Sequence, residues 1–328
     1  MKVLLTGCTG FIGMHAAERL LARGDTVVGI DNLCDYYSVA LKQARLARLR
    51  AHPGFGFTQQ DIAEPGALAR LFATERPEAV LHLAAQAGVR YSLENPQAYV
   101  QSNLVGFAHL LEACRAAPPR HLVYASSSSV YGGNDKLPFA ESDNVDRPVS
   151  LYAATKKANE LMAHTYSHLY GVPATGLRYF TVYGPWGRPD MSPMLFASAI
   201  LEDRPIRVFN HGDMQRDFTY IDDIVEGTLR VLDRPAAPGP QGGAPHTVYN
   251  IGNHQPVELL EYIAQMEQAL GRKATLELLP MQPGDVKSTY ADTARLRADT
   301  GFAPSTPLAE GLARFAAWFV PYHRSLPR

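Results

Sequence analysis

The stretch "LLTGCTGFIGMHAAERL", residues 4–20, decides the fold. Its apolar start, with Lys2 and Val3 before it, reads as a buried strand. Its end runs into "GMHAAERLLARG", an amphipathic helix pattern closed by Gly24. Gly7, Gly10 and Gly13 stand between the two. Glycines at such a junction permit a tight turn and a close approach of backbone to a pyrophosphate. The helix N-terminus adds unpaired N–H groups and the positive end of a dipole. The spacing is G-x-x-G-x-x-G, a departure from the G-x-G-x-x-G fingerprint.

Asp31 ends the next apolar run, "TVVGIDN" (26–32), 18 residues beyond Gly13. A carboxylate there can accept hydrogen bonds from the adenosine ribose and would repel a 2′-phosphate. The next arginine along the chain is Arg45, so NAD is expected rather than NADP. Asp61, in "TQQDIAE", ends a third strand, where it could face adenine or cap a helix.

Further strands are expected at "AVLHLAA" (79–85) and "HLVYASS" (121–127), and one long strand at "ATGLRYFTVYG" near 174–183. Helical patterns such as "GALARLFATER" and "NLVGFAHLLEACRAA" lie between them. Alternation of this kind implies βαβ units and an α/β fold with a Rossmann-like, doubly wound parallel sheet. After Gly184 the pattern changes: "PWGRPDMSP" reads as loop, "MLFASAILED" as a short helix and "RPAAPGPQGGAPH" (234–246) as a linker. A closing helix is expected after residue 305, with Leu308, Leu312, Phe315 and Phe319 on one stripe. Residues 1–183 with about 214–235 are therefore expected to form a nucleotide-binding domain. Residues 184–213 and about 236–328 would form a smaller α/β substrate-binding lobe.

Composition narrows the class. Of 328 residues 46% are hydrophobic and 19% charged, the profile of a globular chain. A net charge of −1 gives no reason to expect nucleic acid or a membrane surface as partner. Cys8, Cys34 and Cys114 are far apart, lack metal-ligand spacing and suit a reducing compartment, so no metal is expected. No apolar run approaches the ~20 residues of a membrane span. The apolar run after Met1 and Lys2 stops at Leu5, too short for a signal peptide. The expectation is a cytoplasmic protein.

"SLYAATKKANE" (150–160) puts Tyr152 one helical turn before Lys156. Alone, such a pair is an ordinary solvated helix face. "YASSSSVYGG" (124–133), however, ends a central strand, where ligands of such sheets bind, and Ser127 lies 25 residues before Tyr152. A phenol, with an ordinary pKa near ~10, is a poor base at neutral pH. An adjacent ammonium favours the phenolate. Tyr152 could then take a proton from a sugar hydroxyl as hydride leaves for NAD. Lys156 would hold the nicotinamide ribose, and Ser127 would share the hydrogen bond at the reacting oxygen.

With these residues in place the chain resembles the extended short-chain dehydrogenases/reductases of the nucleotide-sugar epimerase and dehydratase group. Within it the chain is most similar to the UDP-glucuronate 4-epimerases of capsular-polysaccharide type. The matching stretches are "GCTGFIG", "DNLCDYY", "HLAAQAGVRYS", "SSSSVYGG", "SLYAATKKANELMAHTYSHLYG", "LRYFTVYGPWGRPDM", "GDMQRDFTYIDDIVEG" and "QPGDVKSTYADT". The resemblance implies that Gly7, Gly10, Phe11, Ile12 and Gly13 cradle pyrophosphate, with Asp31 and Asn32 on ribose and Asp61 and Ile62 flanking adenine. It implies that Leu83, Ala84 and Ala85 line the cofactor path, that Asn103 braces it, and that Tyr179 and Val182 follow on the strand after the catalytic helix. Arg216 would meet the UDP phosphates and Asp285 the uridine ribose. Hexose epimerases often carry Asn after "RYF"; Thr181 here implies a differently shaped sugar pocket. A homodimer is implied, paired through helices near 96–115 and 152–170.

The choice of reaction rests on Ser128 and Ser129. Dehydratases of this scaffold carry acids directly after the residue equivalent to Ser127, and decarboxylases carry Glu in the same segment. Without an acid, what remains is oxidation at C4, rotation of the keto sugar and return of hydride: NAD-dependent 4-epimerisation with tightly bound, recycled NAD. UDP-glucuronate is the expected substrate. UDP-glucose, an N-acetylated sugar, a dehydratase or decarboxylase reaction, and a non-catalytic nucleotide sensor stay open. A glucuronate oxidised at C4 is a β-keto acid, so its carboxylate must be held against loss of CO₂. Arg188, in "PWGRPDM", is the expected clamp and Arg90, in "AGVRYS", the second candidate. Ser127, Ser128, Ser129 and Thr181 could add hydrogen bonds.

Overall fold

The computed structural model describes residues 1–239, 242–281 and 287–326. Strands β1 (Lys2–Thr6), β2 (Thr26–Asp31), β3 (Phe55–Gln59), β4 (Ala79–His82), β5 (His121–Ser127) and β6 (Ala174–Tyr179) pair in parallel. The chain then passes through β7 (Thr181–Tyr183), β8 (Ile206–Val208), β9 (Gln215–Tyr220), β10 (His246–Ile251), β11 (Pro256–Glu258), β12 (Leu276–Leu278) and β13 (Ser288–Thr289). The main sheet has the order β10-β6-β5-β4-β1-β2-β3, so strand order reverses between β1 and β4. Nucleotides bind at such a reversal, outside the carboxyl ends of the strands.

The central strands are buried on both faces, as an all-parallel sheet requires. Val3, Leu5, Val27, Leu81, Val123 and Leu177 face one core layer. Their neighbours Leu4, Val28, Val80, Leu122 and Tyr124 face the other. Helix Phe11–Ala22 packs on the first side and helices Ala67–Glu75, Gly106–Ala116 and Leu151–Tyr170 on the second. The expected stripe of the closing helix is seen in Leu308–Ser325, where Leu312, Phe315 and Phe319 are fully buried.

Two expectations shift. The single strand expected at 174–183 is two. At Phe180 the chain leaves the main sheet, the Phe180 N–H still bonding Ile251, and β7 turns to pair with β9. The domain boundary near 236 also moves, because β10 returns to cover the β6 edge of the main sheet. An uncovered edge strand there would present a row of unpaired N–H and C=O groups. Conversely β9, expected with the larger domain, is the centre of a separate sheet with β7, β11 and β13.

Candidate active site

The loop after β1 is shaped by its glycines. Gly7 has φ +71°, and a side chain on Gly13 would sit 2.1 Å from the Gly7 carbonyl oxygen. Gly7 and Cys8 donate to the Ile30 carbonyl, tying the loop to β2. No side chain caps the helix that follows, so its first N–H groups face the cavity. Asp31 accepts from the backbone N–H groups of Thr9 (3.1 Å) and Leu33 (2.9 Å), which holds its carboxylate at the cavity edge. Asn32 donates to Asp61 at 2.9 Å, which ties the end of β2 to the loop after β3. Arg45 is fully buried and committed to the carbonyls of Thr9, Trp186 and Gly187 and to the Tyr37 hydroxyl, away from any ribose phosphate. A glycine cradle, a helix N-terminus and a strand-end acid fit a dinucleotide.

The Leu151–Tyr170 helix starts on Ser150, whose hydroxyl accepts from the Ala153 N–H, and stops at Gly171 with φ +67°. These caps place Tyr152 and Lys156 over the end of β5. Lys156 is 2% exposed and donates to the Ala125 carbonyl at 2.8 Å. Burial lowers its pKa to about 8. The same burial raises Tyr152 above its ordinary value; a hydrogen bond with Ser127 and the positive charge of Arg188 oppose the rise. The expectation that the Lys156 ammonium and an oxidised nicotinamide ring favour the phenolate thus meets a second nearby cation, Arg188. The Lys156 ammonium is turned onto the end of β5.

A π-helical stretch, Val100–Val105, precedes the Gly106–Ala116 helix. Its widened turn brings Asn103 inward. Asn103 accepts from the Gln86 N–H (2.8 Å), donates to the Gln86 carbonyl (2.9 Å) and to Thr155 (3.0 Å), and its own carbonyl accepts from Asn159. It locks the loop after β4 to the Tyr152 helix.

One cavity of about 610 Å³ collects most of the expected residues. Gly7, Gly10, Phe11, Ile12, Gly13, Asp31, Asn32, Asp61 and Ile62 line it, from the glycine loop and the ends of β2 and β3. So do Leu83, Ala84 and Ala85 after β4, and Tyr179, Thr181 and Val182 from β6 and β7. Ser127, Ser128, Ser129, Tyr152, Lys156 and Arg188 complete the lining. Asn103 lies behind this wall. Arg90 and Arg216 instead line a second cavity of about 670 Å³, with Arg204, Arg207, Phe209 and Phe218. Arg90 is exposed there, its guanidinium 5.5 Å from the Phe209 ring. Arg216 donates to the carbonyls of Gln215 and Lys287. Asp285 lies outside the described residues.

Sequence reasoning missed Tyr36, Gln86, Gly88 and Met191, which line the first cavity, and Asp190 beside it. Tyr36 sat in the quoted "DNLCDYY" stretch, but nothing in the spacing aims it at a loop 154 positions later.

The profile of the NAD dependent epimerase/dehydratase family matches residues 3–252. The chain is 51% identical over 334 residues to protein CapI of Staphylococcus aureus, an alignment spanning 99% of this chain and 100% of that protein. It is 48% identical over 333 residues to UDP-glucuronate 4-epimerase 1 of Arabidopsis thaliana, covering 98% of this chain and 77% of the relative. Its fold superposes on a UDP-glucuronic acid 4-epimerase of Bacillus cereus, crystallised with UDP-glucuronic acid and NAD. The TM-score is 0.90 at 34% identity, over 98% of this chain and 100% of the other.

Proposed function

The chain belongs to the NAD-dependent epimerase/dehydratase family, and we propose that it interconverts UDP-glucuronate and UDP-galacturonate by NAD-dependent 4-epimerisation. The observation that carries this reading is Arg188 facing the same cavity as Ser127 and Tyr152, with serines at 128 and 129. A cation suits a sugar carboxylate, and the absence of an acid after Ser127 removes the proton donor that elimination needs.

NAD held in this cavity would supply the hydride acceptor and donor needed at sugar C4. Gly7, Gly10, Phe11, Ile12 and Gly13 would hold its pyrophosphate, Asp31 and Asn32 its adenosine ribose, and Lys156 its nicotinamide ribose. Tyr152 takes the proton of the 4-hydroxyl and gives it back after the sugar turns, with Ser127 sharing the hydrogen bond at that oxygen. Arg188 holds the carboxylate, helped by Thr181 and the serines. Arg216, in the second cavity, meets the diphosphate, and Arg90 beside it is the second candidate for the sugar carboxylate. Asp285 is assigned to the uridine ribose on the family resemblance alone. The main sheet with its helices serves as the nucleotide-binding part, and residues 184–213 and those after β10 as the sugar-nucleotide lobe.

The chain is proposed to act in the cytoplasm as a homodimer. The exposed Leu161, Leu169 and Tyr170 on the Leu151–Tyr170 helix support pairing. Among the described residues no helix is long and apolar enough to cross a membrane. Supply of a uronic-acid nucleotide for capsular polysaccharide is the role that the family resemblance implies. The test is incubation with UDP-glucuronate and chromatographic separation of the C4 epimers. Formation of UDP-galacturonate at unchanged mass is expected, and a dehydrated product, or none, would refute the reading.

A further inference from the structure

Arg188 does not stand alone. Its Nε and Nη2 donate to the two carboxylate oxygens of Asp190, at 3.1 and 2.5 Å. This fork-on-carboxylate geometry uses one edge of the guanidinium and leaves the Nη1 edge to other acceptors. Asp190 is also held by Tyr36, whose hydroxyl donates at 2.9 Å to the same Oδ2 that meets Arg188 Nη2. The Tyr36 ring packs against Tyr91, centroids 4.6 Å apart. Gly88, at φ +104°, passes so close that a side chain there would meet the Tyr36 hydroxyl at 2.7 Å. Three loops, after β2, β4 and β7, thus converge on one carboxylate. Tyr36 and Gly88 line both cavities, so the junction stands between the first and the arginine-lined second.

We infer that Asp190 and Tyr36 are positioning residues which fix the Arg188 guanidinium, so that its Nη1 edge meets the carboxylate of an acidic sugar in a single orientation. The inference rests on the proposed epimerisation of UDP-glucuronate. Loss of CO₂ from the 4-keto sugar breaks the C5–C6 bond. Its electron pair moves into an enolate over C5, C4 and the ketone oxygen, and a proton then adds at C5. The step is easy only when the C5–C6 bond lines up with the ketone π system. An arginine free to swing would hold the carboxylate without holding that angle. The ionic states suit the role. Burial works against the Asp190 charge, but Arg188 beside it holds the carboxyl below its usual range. Burial and the Asp190 charge push Tyr36 up to about 12, so it stays a donor.

The test uses purified enzyme with its retained cofactor, as wild type, Tyr36→Phe and Asp190→Asn. Two quantities are read: the fraction of turnovers ending in CO₂ with a UDP-4-keto-pentose, or with the UDP-pentose formed when the hydride first taken from C4 returns to that ketone, and calorimetric binding of UDP-glucuronate against UDP-glucose. Tyr36→Phe removes one hydrogen bond to a charged group and keeps the ring. It is expected to raise the decarboxylated fraction about tenfold. Binding of UDP-glucose, which lacks the carboxylate, is expected to stay unchanged. Asp190→Asn should raise the same fraction and change the ratio of the two affinities. Wild-type partition in both variants would overturn the inference, as would equal loss of both affinities with no added CO₂. A wild type that fails to epimerise UDP-glucuronate would instead overturn the proposed function on which the inference stands.

Discussion

In the proposed reaction Tyr152 is the residue on which the chemistry turns. Burial raises its phenol above the ordinary value, and Ser127 and Arg188 oppose that rise. Tyr152→Phe is expected to keep bound cofactor and lower turnover by about 10²–10⁴, the usual worth of general-base catalysis. Absorbance of the released cofactor and a single-turnover assay check the two halves separately. At Arg188 the expected loss is of a different kind. Arg188→Ala should weaken UDP-glucuronate turnover and release CO₂ with a UDP-pentose product, detectable by mass spectrometry. Normal epimerisation with no pentose would move the carboxylate contact to another residue. Arg90 would be next in line, although it is exposed in the second cavity. Tyr152, Lys156 and Ser127 were legible because the helical period and the strand end put them together. Asp190 and Tyr36 were not, because a hydrogen bond across 154 positions leaves no periodicity.

Among the elements, the glycine loop with its helix is the most constrained. A methyl group on Gly13 would meet the Gly7 carbonyl oxygen at 2.1 Å, a distance no packing adjustment at the surface relieves. Gly13→Ala is therefore expected to push the helix away from β1 and abolish cofactor retention. Denaturing the purified variant and assaying the supernatant for NAD is the measurement, and wild-type NAD content would contradict the expectation. The strand after the catalytic helix was read as one run of ten residues because "ATGLRYFTVYG" is β-prone throughout. Its break at Phe180 depends on partners elsewhere in the chain, β10 on one side of the break and β9 on the other, and local propensity cannot register them. The π-helical turn at Asn103 was likewise unreadable, since it exists to bond Gln86 and Asn159 across the cavity wall.

The whole molecule carries its own pH limit in the sheet. His82, at the end of β4, bonds Thr6 and stacks on Phe107; burial, with Lys156 adding to it, brings its pKa to about 3. His121, at the start of β5, bonds Leu232 and Thr175; burial brings it to about 4. Both values lie below the ordinary histidine pKa, so the unfolded chain takes up protons first as pH falls. Stability is thus full above pH ~6.5 and lost progressively below it, at about 1.4 kcal/mol per histidine for each unit of difference. Thermal melts from pH 7 to 4 should show Tm falling, and His121→Gln, which cannot be protonated there, should flatten the slope. An unchanged Tm across that window would refute the account. By itself the sequence determined the parallel-sheet class, the glycine cradle, Asp31 and the Ser–Tyr–Lys set. Strand periodicity, helix caps and loop glycines are local signals, written within a few residues of where they act. The return of β10 to the main sheet, the placing of Arg90 and Arg188 in different cavities, and the seating of Arg188 by Asp190 and Tyr36 were decided only in three dimensions. Each depends on which distant loops the packed layers bring to one edge, and that is set by the whole core rather than by any stretch of the chain.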